Sequence, residues 1–392
     1  MKKYVLVSIL VIILILFASG CVKPGNSNNG QQKTPQPTVA VVKPTTTVAQ
    51  PEVTIQTIPP EQVPAEYRAD YIKINTWLDE KLVDWKPSPN EKVQLAAFDV
   101  FASDDQFAKT NAEIDMKFLD VLEQTDSGII VLYIRPNSYF SQKQRYDALI
   151  NRIRTDGKKL FIGARFDDVK MSFSDYDKQL TDYTNNIIAV IKPDYYGIVI
   201  EPTTMEKRHG FNASDENWIQ LVKKTAELSK KVSPDTKTAV GGHKLELNFL
   251  QLASGLDALD IIGFNIYGMP GLDPDLTSYL GKGDVVGKTI DLANSKGKET
   301  WITETWVTEF SGSAEKQKMA VQTFMEPVDA KWIQVISDYA IRHNMKVVVP
   351  FYTGKFVAYT DDSNVFLKDL NNNDRTPVFQ TYKDLIRKMK SS

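Results

Sequence analysis

Two glutamates close short apolar runs in this chain, Glu201 after Gly197-Ile198-Val199-Ile200 and Glu304 after Trp301-Ile302-Thr303. A carboxylate is costly to hold beside a core unless partners or a task keep it there. Two that face one cleft can hold different protonation states, so that one gives a proton to a departing atom while the other offers negative charge. Other residues at the ends of comparable runs are Asp99, Arg135, Arg165 with Asp167 and Asp168, His243, Asn265 with Tyr267, Trp306, and Tyr352. Taken singly, a glutamate at such a position is more often a solvated surface group. His243 fits a satisfied structural histidine as well as a cleft residue, and Arg165 and Asp167 could simply pair with each other. The flat faces of Trp306, Tyr267, Tyr352 and Phe211 suit stacking on an apolar ligand face, or packing at a rim. Trp306 stands two residues past Glu304 and is therefore expected on the same side of an extended strand.

Composition narrows the chemistry. The three histidines, His209, His243 and His343, include no i, i+4 pair, and Cys21 is the only cysteine, so neither a transition-metal centre nor a disulfide framework is expected, and no cofactor is expected either. Forty-seven Lys and Arg against 49 Asp and Glu leave a net charge of -2, which gives no electrostatic reason to bind nucleic acid. A neutral partner fits better.

Positioning these residues requires many strands whose ends converge. From Glu66 to Ser392 short β-branched runs alternate with amphipathic stretches, the pattern of βα units around a parallel sheet. The runs are 93–101, 128–135, 159–165, 196–201, 237–242, 259–267, 300–305 and 346–352, and eight such units close a barrel. Helices are expected over 112–123, 142–155, 175–191, 215–232, 285–295, 314–343 and 376–389, with a short one over 248–255. A further helical stretch over 67–84 is expected to cap the bottom of the barrel. The expected class is thus α/β, a (β/α)8 TIM barrel, in which functional residues gather at the C-terminal ends of the strands. An open doubly wound sheet is the other architecture weighed, but no Gly-rich phosphate loop follows the first strand.

With strands counted this way, Glu201-Pro202 follows the fourth and Glu304 ends the seventh, and in these features the region from Val93 onward resembles the clan A glycoside hydrolases. The resemblance implies Glu201 as acid/base, Glu304 as nucleophile, and retention of configuration. It also implies a nucleophile-binding tyrosine at Tyr267 and a cleft histidine at His243, with Asn265, Arg165, Asp99, Trp306 and Tyr352 lining the substrate site. Two positions depart from the clan's pattern: Ile200 stands where an Asn that binds the sugar 2-hydroxyl is usual, and Phe351 and Tyr352 stand where the eighth strand usually ends in Trp. On this resemblance Glu201 needs the raised pKa, while Glu304 stays ionised through Tyr267 and Arg165. A barrel that binds glycan or envelope polymer without cleaving it is the alternative function, and a purely structural surface head is a third.

The N-terminus carries an address. Lys2 and Lys3 precede an apolar run from Tyr4 to Phe17, too short to span a bilayer comfortably, and Ala18-Ser19-Gly20-Cys21 resembles a lipobox. Residues 1–21 are therefore expected to be a lipoprotein signal with Cys21 as lipid anchor; an uncleaved membrane anchor with an incidental cysteine is the alternative. Residues 22–65, rich in Pro, Thr and Gln and containing no Leu or aromatic residue, are expected to be a disordered tether. Residues 66–392 then form the catalytic domain. The expected setting is a monomer on the outer face of a membrane, acting on an extracellular oligo- or polysaccharide.

Overall fold

The computed structural model describes residues 57–88, 90–99, 112–268, 280, 283–307, 323–360 and 363–391. The signal, Cys21 and the tether up to residue 56 lie outside the described residues, as does the first part of the 314–343 helix.

Eight parallel strands form the sheet. β1 comes in two parts, Gln94–Leu95 and Ala97–Phe98; then follow β2 (Ile129–Ile134), β3 (Lys159–Ala164), β4 (Tyr195–Ile200), β5 (Lys237–Gly242), β6 (Ile261–Gly268), β7 (Glu299–Val307) and β8 (Val347–Pro350). Each strand pairs with the next in sequence. The first part of β1 lies opposite Val347 and Val348 of β8, and the second opposite Ile130 and Val131 of β2, so one strand joins both edges and the sheet closes into a barrel. Each half of β1 thus covers one edge of the sheet. The strands read as continuous apolar runs because both faces are covered.

Alternate side chains divide between two cores. Phe98, Val131, Tyr133, Phe161, Tyr195, Trp301 and Val349 fill the barrel, whereas Ile130, Leu132, Ile162, Val240 and Ile302 meet the helices outside. Small residues inside make room for the large ones: a Cβ at Gly163 would stand 2.3 Å from the ring of Tyr133. That missing atom lets the tyrosine cross the barrel toward β7.

The outer layer follows the expected helices closely, including Ala112–Gln124, Lys143–Thr155, Asp215–Val232, Leu247–Ala253, Val285–Ser295 and Pro377–Ser391. The stretch expected as one helix over 175–191 is Phe173–Tyr183, a π-helical turn Thr184–Ile188, and Ala189–Ile191. The helix Arg68–Asp84 does not cap the barrel bottom as expected. It lies along Glu326–Arg342, with Tyr71 against Phe324, Trp77 against Trp332, and Trp85 against Tyr339. Its partner explains the difference. Glu326–Arg342 is buried nearly all round, so it is covered on more than its sheet side. Pro377–Ser391 packs on it as well.

Ordered packing begins ahead of the Glu66 boundary. The Tyr71 hydroxyl donates to the Ile58 carbonyl at 2.9 Å, and Val63 is buried. A chain started at Glu66 should therefore be less stable than one started at Glu52 by about 2–4 kcal/mol, from one lost apolar side chain and one hydrogen bond. Denaturant midpoints of the two chains measure this, and equal midpoints would return the boundary to Glu66. Among the described residues no helix is long and apolar enough to cross a membrane.

Candidate active site

Glu201 stands between β4 and the helix Pro202–His209, at φ 58° and ψ 77°. This left-handed conformation is strained for a side chain with a Cβ, and such strain concentrates at functional positions. The surroundings hold it: its N–H donates to the Gly241 carbonyl at 2.9 Å, and its own carbonyl accepts from the Thr204 N–H at 3.0 Å. Its carboxylate accepts from Asn265 Nδ2 at 2.8 Å and from the Thr204 hydroxyl at 2.7 Å. Glu246 supports the turn from beneath. It is buried, and it takes the N–H groups of Thr203 at 2.6 Å and His243 at 2.8 Å, so it ties the start of the Pro202 helix to the end of β5. Burial raises its pKa, against which His243 and these N–H groups work.

Glu304 sits on β7, deeper, at 7% exposure. Tyr133 donates to Oε1 and Tyr267 to Oε2, each at 2.7 Å, so both carboxylate oxygens are gripped by phenols from opposite sides of the barrel. Asn265 links the two glutamates: its Nδ2 reaches Glu201, and its Oδ1 accepts from Thr303, the residue before Glu304, at 2.8 Å. Burial first, and then the charge of Glu201, push Glu304 up to about 8, while Tyr133, Tyr267 and Arg165 pull it back. The expectation that Glu304 stays ionised through its hydrogen bonds is thereby corrected. Depth decides it, because Glu304 is nearly desolvated. Burial, and the carboxylate each one meets, also push the hydroxyls of Tyr133 and Tyr267 well above their ordinary value, so both remain donors.

The remaining residues expected at the site divide. Tyr267 and Asn265 are in direct contact with the glutamates, and Arg165 is close enough for its charge to act on Glu304. Tyr352 is 36% exposed at the rim, edge-on to Phe351, whose ring meets Tyr267 and Tyr133 on the barrel floor. His243 accepts the Leu245 N–H on Nδ1, which leaves Nε2 to donate to the Thr203 hydroxyl at 3.2 Å. Asp167 pairs not with Arg165 but with Arg135 and Asn137.

Three residues expected to meet ligand are buried. Asp99 is fully buried, and its charge acts on Arg145 and Tyr146 of the helix outside β2. Trp306 is fully buried against Phe356. The alternation from Glu304 holds, since the ladder to β6 pairs Asn265 with Glu304 and Tyr267 with Trp306 in unbroken register, but burial keeps the indole from a ligand face. Phe211 lies in a core cluster with Phe173, Tyr176 and Trp218. Tyr133 was absent from the expected set, although its place two residues short of Arg135, in phase with Ile129 and Val131, marked it as inward-facing.

Loss of one phenol should cost more than its hydrogen bond. Tyr133→Phe or Tyr267→Phe leaves a buried carboxylate oxygen without its donor, and turnover should fall about 10²-fold or more while the fold persists. Rates of the two variants on one substrate, beside their circular dichroism, test this, and wild-type rates in both would show that Glu304 has no part in turnover. Among the described residues no group of three or more His, Cys, Asp or Glu is placed to hold a metal ion.

The fold and site define a closed (β/α)8 barrel with a coupled glutamate pair at the C-terminal ends of β4 and β7. No protein-family model matches the chain, and no curated protein matches it. Solved structures do. It is similar to an exo-β-1,4-mannosidase from Opitutaceae bacterium strain TAV5, with a TM-score of 0.54 and 11% identity over 75% of this chain and 59% of that one. It is also similar to a GH10 protein from Paenibacillus barcinonensis (TM-score 0.48, 14% identity, 76% of this chain and 95% of that one). A β-glucanase from Saccharophagus degradans gives a TM-score of 0.49 at 12% identity, over 76% of this chain and 88% of that one. The chain thus spans little more than half of the mannosidase's length, and what it shares with that enzyme at this identity is the barrel fold.

Proposed function

We propose that this chain is a retaining glycoside hydrolase of the clan A type, cleaving O-glycosidic, β-linked bonds in an extracellular glycan. The observation that carries the proposal is the pair itself: Glu304 fixed through both oxygens by Tyr133 and Tyr267, and joined through Asn265 to a more accessible Glu201. A buried carboxylate held by two donors on a rigid strand is an oriented nucleophile. A half-buried one beside it can pass a proton to the departing oxygen and later admit water.

In the first step the glycosidic oxygen takes the proton of Glu201 as its bond to the anomeric carbon breaks, while a Glu304 oxygen bonds that carbon from the other face. In the second, water attacks the anomeric carbon and gives its proton to Glu201, and the bond to Glu304 breaks. The pair must therefore hold one proton, and it must sit on Glu201 when the bond breaks. Positive charge developing on the sugar favours that arrangement by stabilising the Glu304 anion. Above pH ~8 the pair loses its proton and the alkaline limb of kcat/KM should fall there.

A panel of aryl β-glycosides and β-linked polysaccharides tests the activity, with the configuration of the first-formed sugar read by proton NMR. Retention is expected, and an inverted first product sinks the mechanism. One observation favours a second reading, a barrel that binds glycan without cleaving it: Ile200 puts an apolar side chain, 8% exposed, inside the barrel just before Glu201. Saturable oligosaccharide binding with no product from any member of the panel would select it. The setting belongs to the same proposal: Cys21 carries lipid, the Pro/Thr-rich segment spaces the barrel from the cell surface, and the monomeric barrel meets its polymer there. Mass spectrometry of the native N-terminus tests the anchor; an intact Met1 excludes it.

A further inference from the structure

On the far side of the β3 terminus from Glu304 lies a second concavity. Arg165 acts on Glu304, and the next two residues, Phe166 and Asp167, line a cavity of about 320 Å³ bounded by the helix Pro136–Ser141 and the π-helical turn Thr184–Ile188. That volume lies at the low end of small-ligand sites. π-turns are uncommon and often mark functional positions, and this one places Asn186 on the cavity wall.

The lining has a distinct chemistry. Phe140 is 56% exposed and Val169 52%, two apolar side chains turned to solvent at its mouth. Its acidic groups are already paired. Asp167 takes the Asn137 amide at 2.6 Å and faces Arg135 at 3.8 Å, while Asp182 meets Lys178 at 2.6 Å. No bare charge is left to draw a cation, yet each carboxylate keeps lone pairs that accept from hydroxyls. At the wall Tyr183 is 2% exposed, and its buried hydroxyl has no hydrogen-bond partner among the described residues. An apolar platform beside several neutralised acceptors fits a ligand with one apolar face and a hydroxylated edge, which is the chemistry of a pyranose ring.

We propose that this cavity is a second saccharide-binding site, separate from the glutamate cleft, with Phe140 as its platform and Asp167, Asp182 and Asn186 as its hydroxyl acceptors. It goes beyond the hydrolase proposal and shares with it only the choice of ligand class. A chain held there stays beside the cleft without being cut, and the site raises the local concentration of polymer at the glutamates. Phe140→Ala and Asp182→Ala, both on the surface, leave the cleft intact.

Calorimetric titration of the Glu304→Gln protein with cellotetraose, mannotetraose and xylopentaose separates the two sites. At least one sugar should bind with a stoichiometry near two, and Phe140→Ala or Asp182→Ala in that background should weaken one site at least tenfold and spare the other. With Glu304 intact, Phe140→Ala should leave turnover of a small aryl glycoside unchanged and slow that of a polymer. Binding at a single site indifferent to both substitutions overturns the second site and leaves the hydrolase proposal standing. A single site abolished by Phe140→Ala supports the cavity and counts against the cleft, and no binding of any of the three sugars overturns both.

Discussion

Replacing Glu304 by Ala should abolish turnover by several orders of magnitude whatever the leaving group, and azide should restore it with inverted configuration, because the small anion enters the space of the lost nucleophile. Glu201→Ala should behave differently. A poor leaving group departs only with a proton, so alkyl glycosides should suffer most, whereas dinitrophenyl glycosides form the intermediate nearly normally and then accumulate it for want of a base. Azide should hasten that second step with retained configuration. The structure supports this division, since Glu304 is locked at both oxygens by phenols while Glu201 is half-buried, with donors from a flexible hydroxyl and an amide. The opposite pattern in the two variants exchanges their roles. Wild-type turnover in both places the chemistry elsewhere.

Glu304→Gln should make the protein more stable while silencing it. Between the ordinary value of 4.5 and about 8 the folded chain holds a proton on Glu304 that the unfolded chain releases. Folded stability therefore falls as pH rises through that window and levels off above it. The span corresponds to about 5 kcal/mol at most, since each pH unit is worth ~1.4 kcal/mol. Gln keeps the shape without the charge. At pH 4 the two proteins should melt nearly together, and by pH 8 the variant should lead by several degrees. Thermal melts across this range read the effect directly, and a difference that does not vary with pH would falsify the assignment of the buried charge to Glu304.

Most of the barrel was legible because its strands are covered on both faces and so stand out as apolar runs between amphipathic helices. The glutamates were legible for the complementary reason, as charges where such runs stop. What failed was finer. Counting in twos along β7 puts Trp306 on the side of Glu304, and the ladder to β6 keeps that count, but periodicity does not tell a buried indole from one that faces a cleft. Asp99 ends its run as the others do, yet it is fully buried, and Arg145 outside the sheet, which feels its charge, pairs with Asp115, an arrangement that no local pattern announces. Tyr133 lies below the strand tip, and its long side chain reaches the site from lower in the barrel because Gly163 leaves room for its ring, which strand ends alone do not reveal. The helix Arg68–Asp84 was rightly expected as a helix and wrongly placed. Its partner, buried on every side, is recognisable only once the fold is known.

The way the barrel closes bears on when the protein can first work as it is made. β1 has its ladder to β8 through Gln94 and Leu95, and the Tyr382 hydroxyl of the last helix donates to the Ala96 carbonyl between its two halves at 2.5 Å. Thr353, just past β8, holds the carbonyl of Phe98. The first strand thus waits for groups more than 250 residues behind it. A ribosome adding ~5–20 residues per second delivers them roughly 10–50 seconds after that strand. Until then the half-built sheet exposes two open edges, and Tyr133 and Glu304, on strands second and seventh, have no closed wall to hold them together. Newly made chain should keep its barrel open until the helix Pro377–Ser391 emerges.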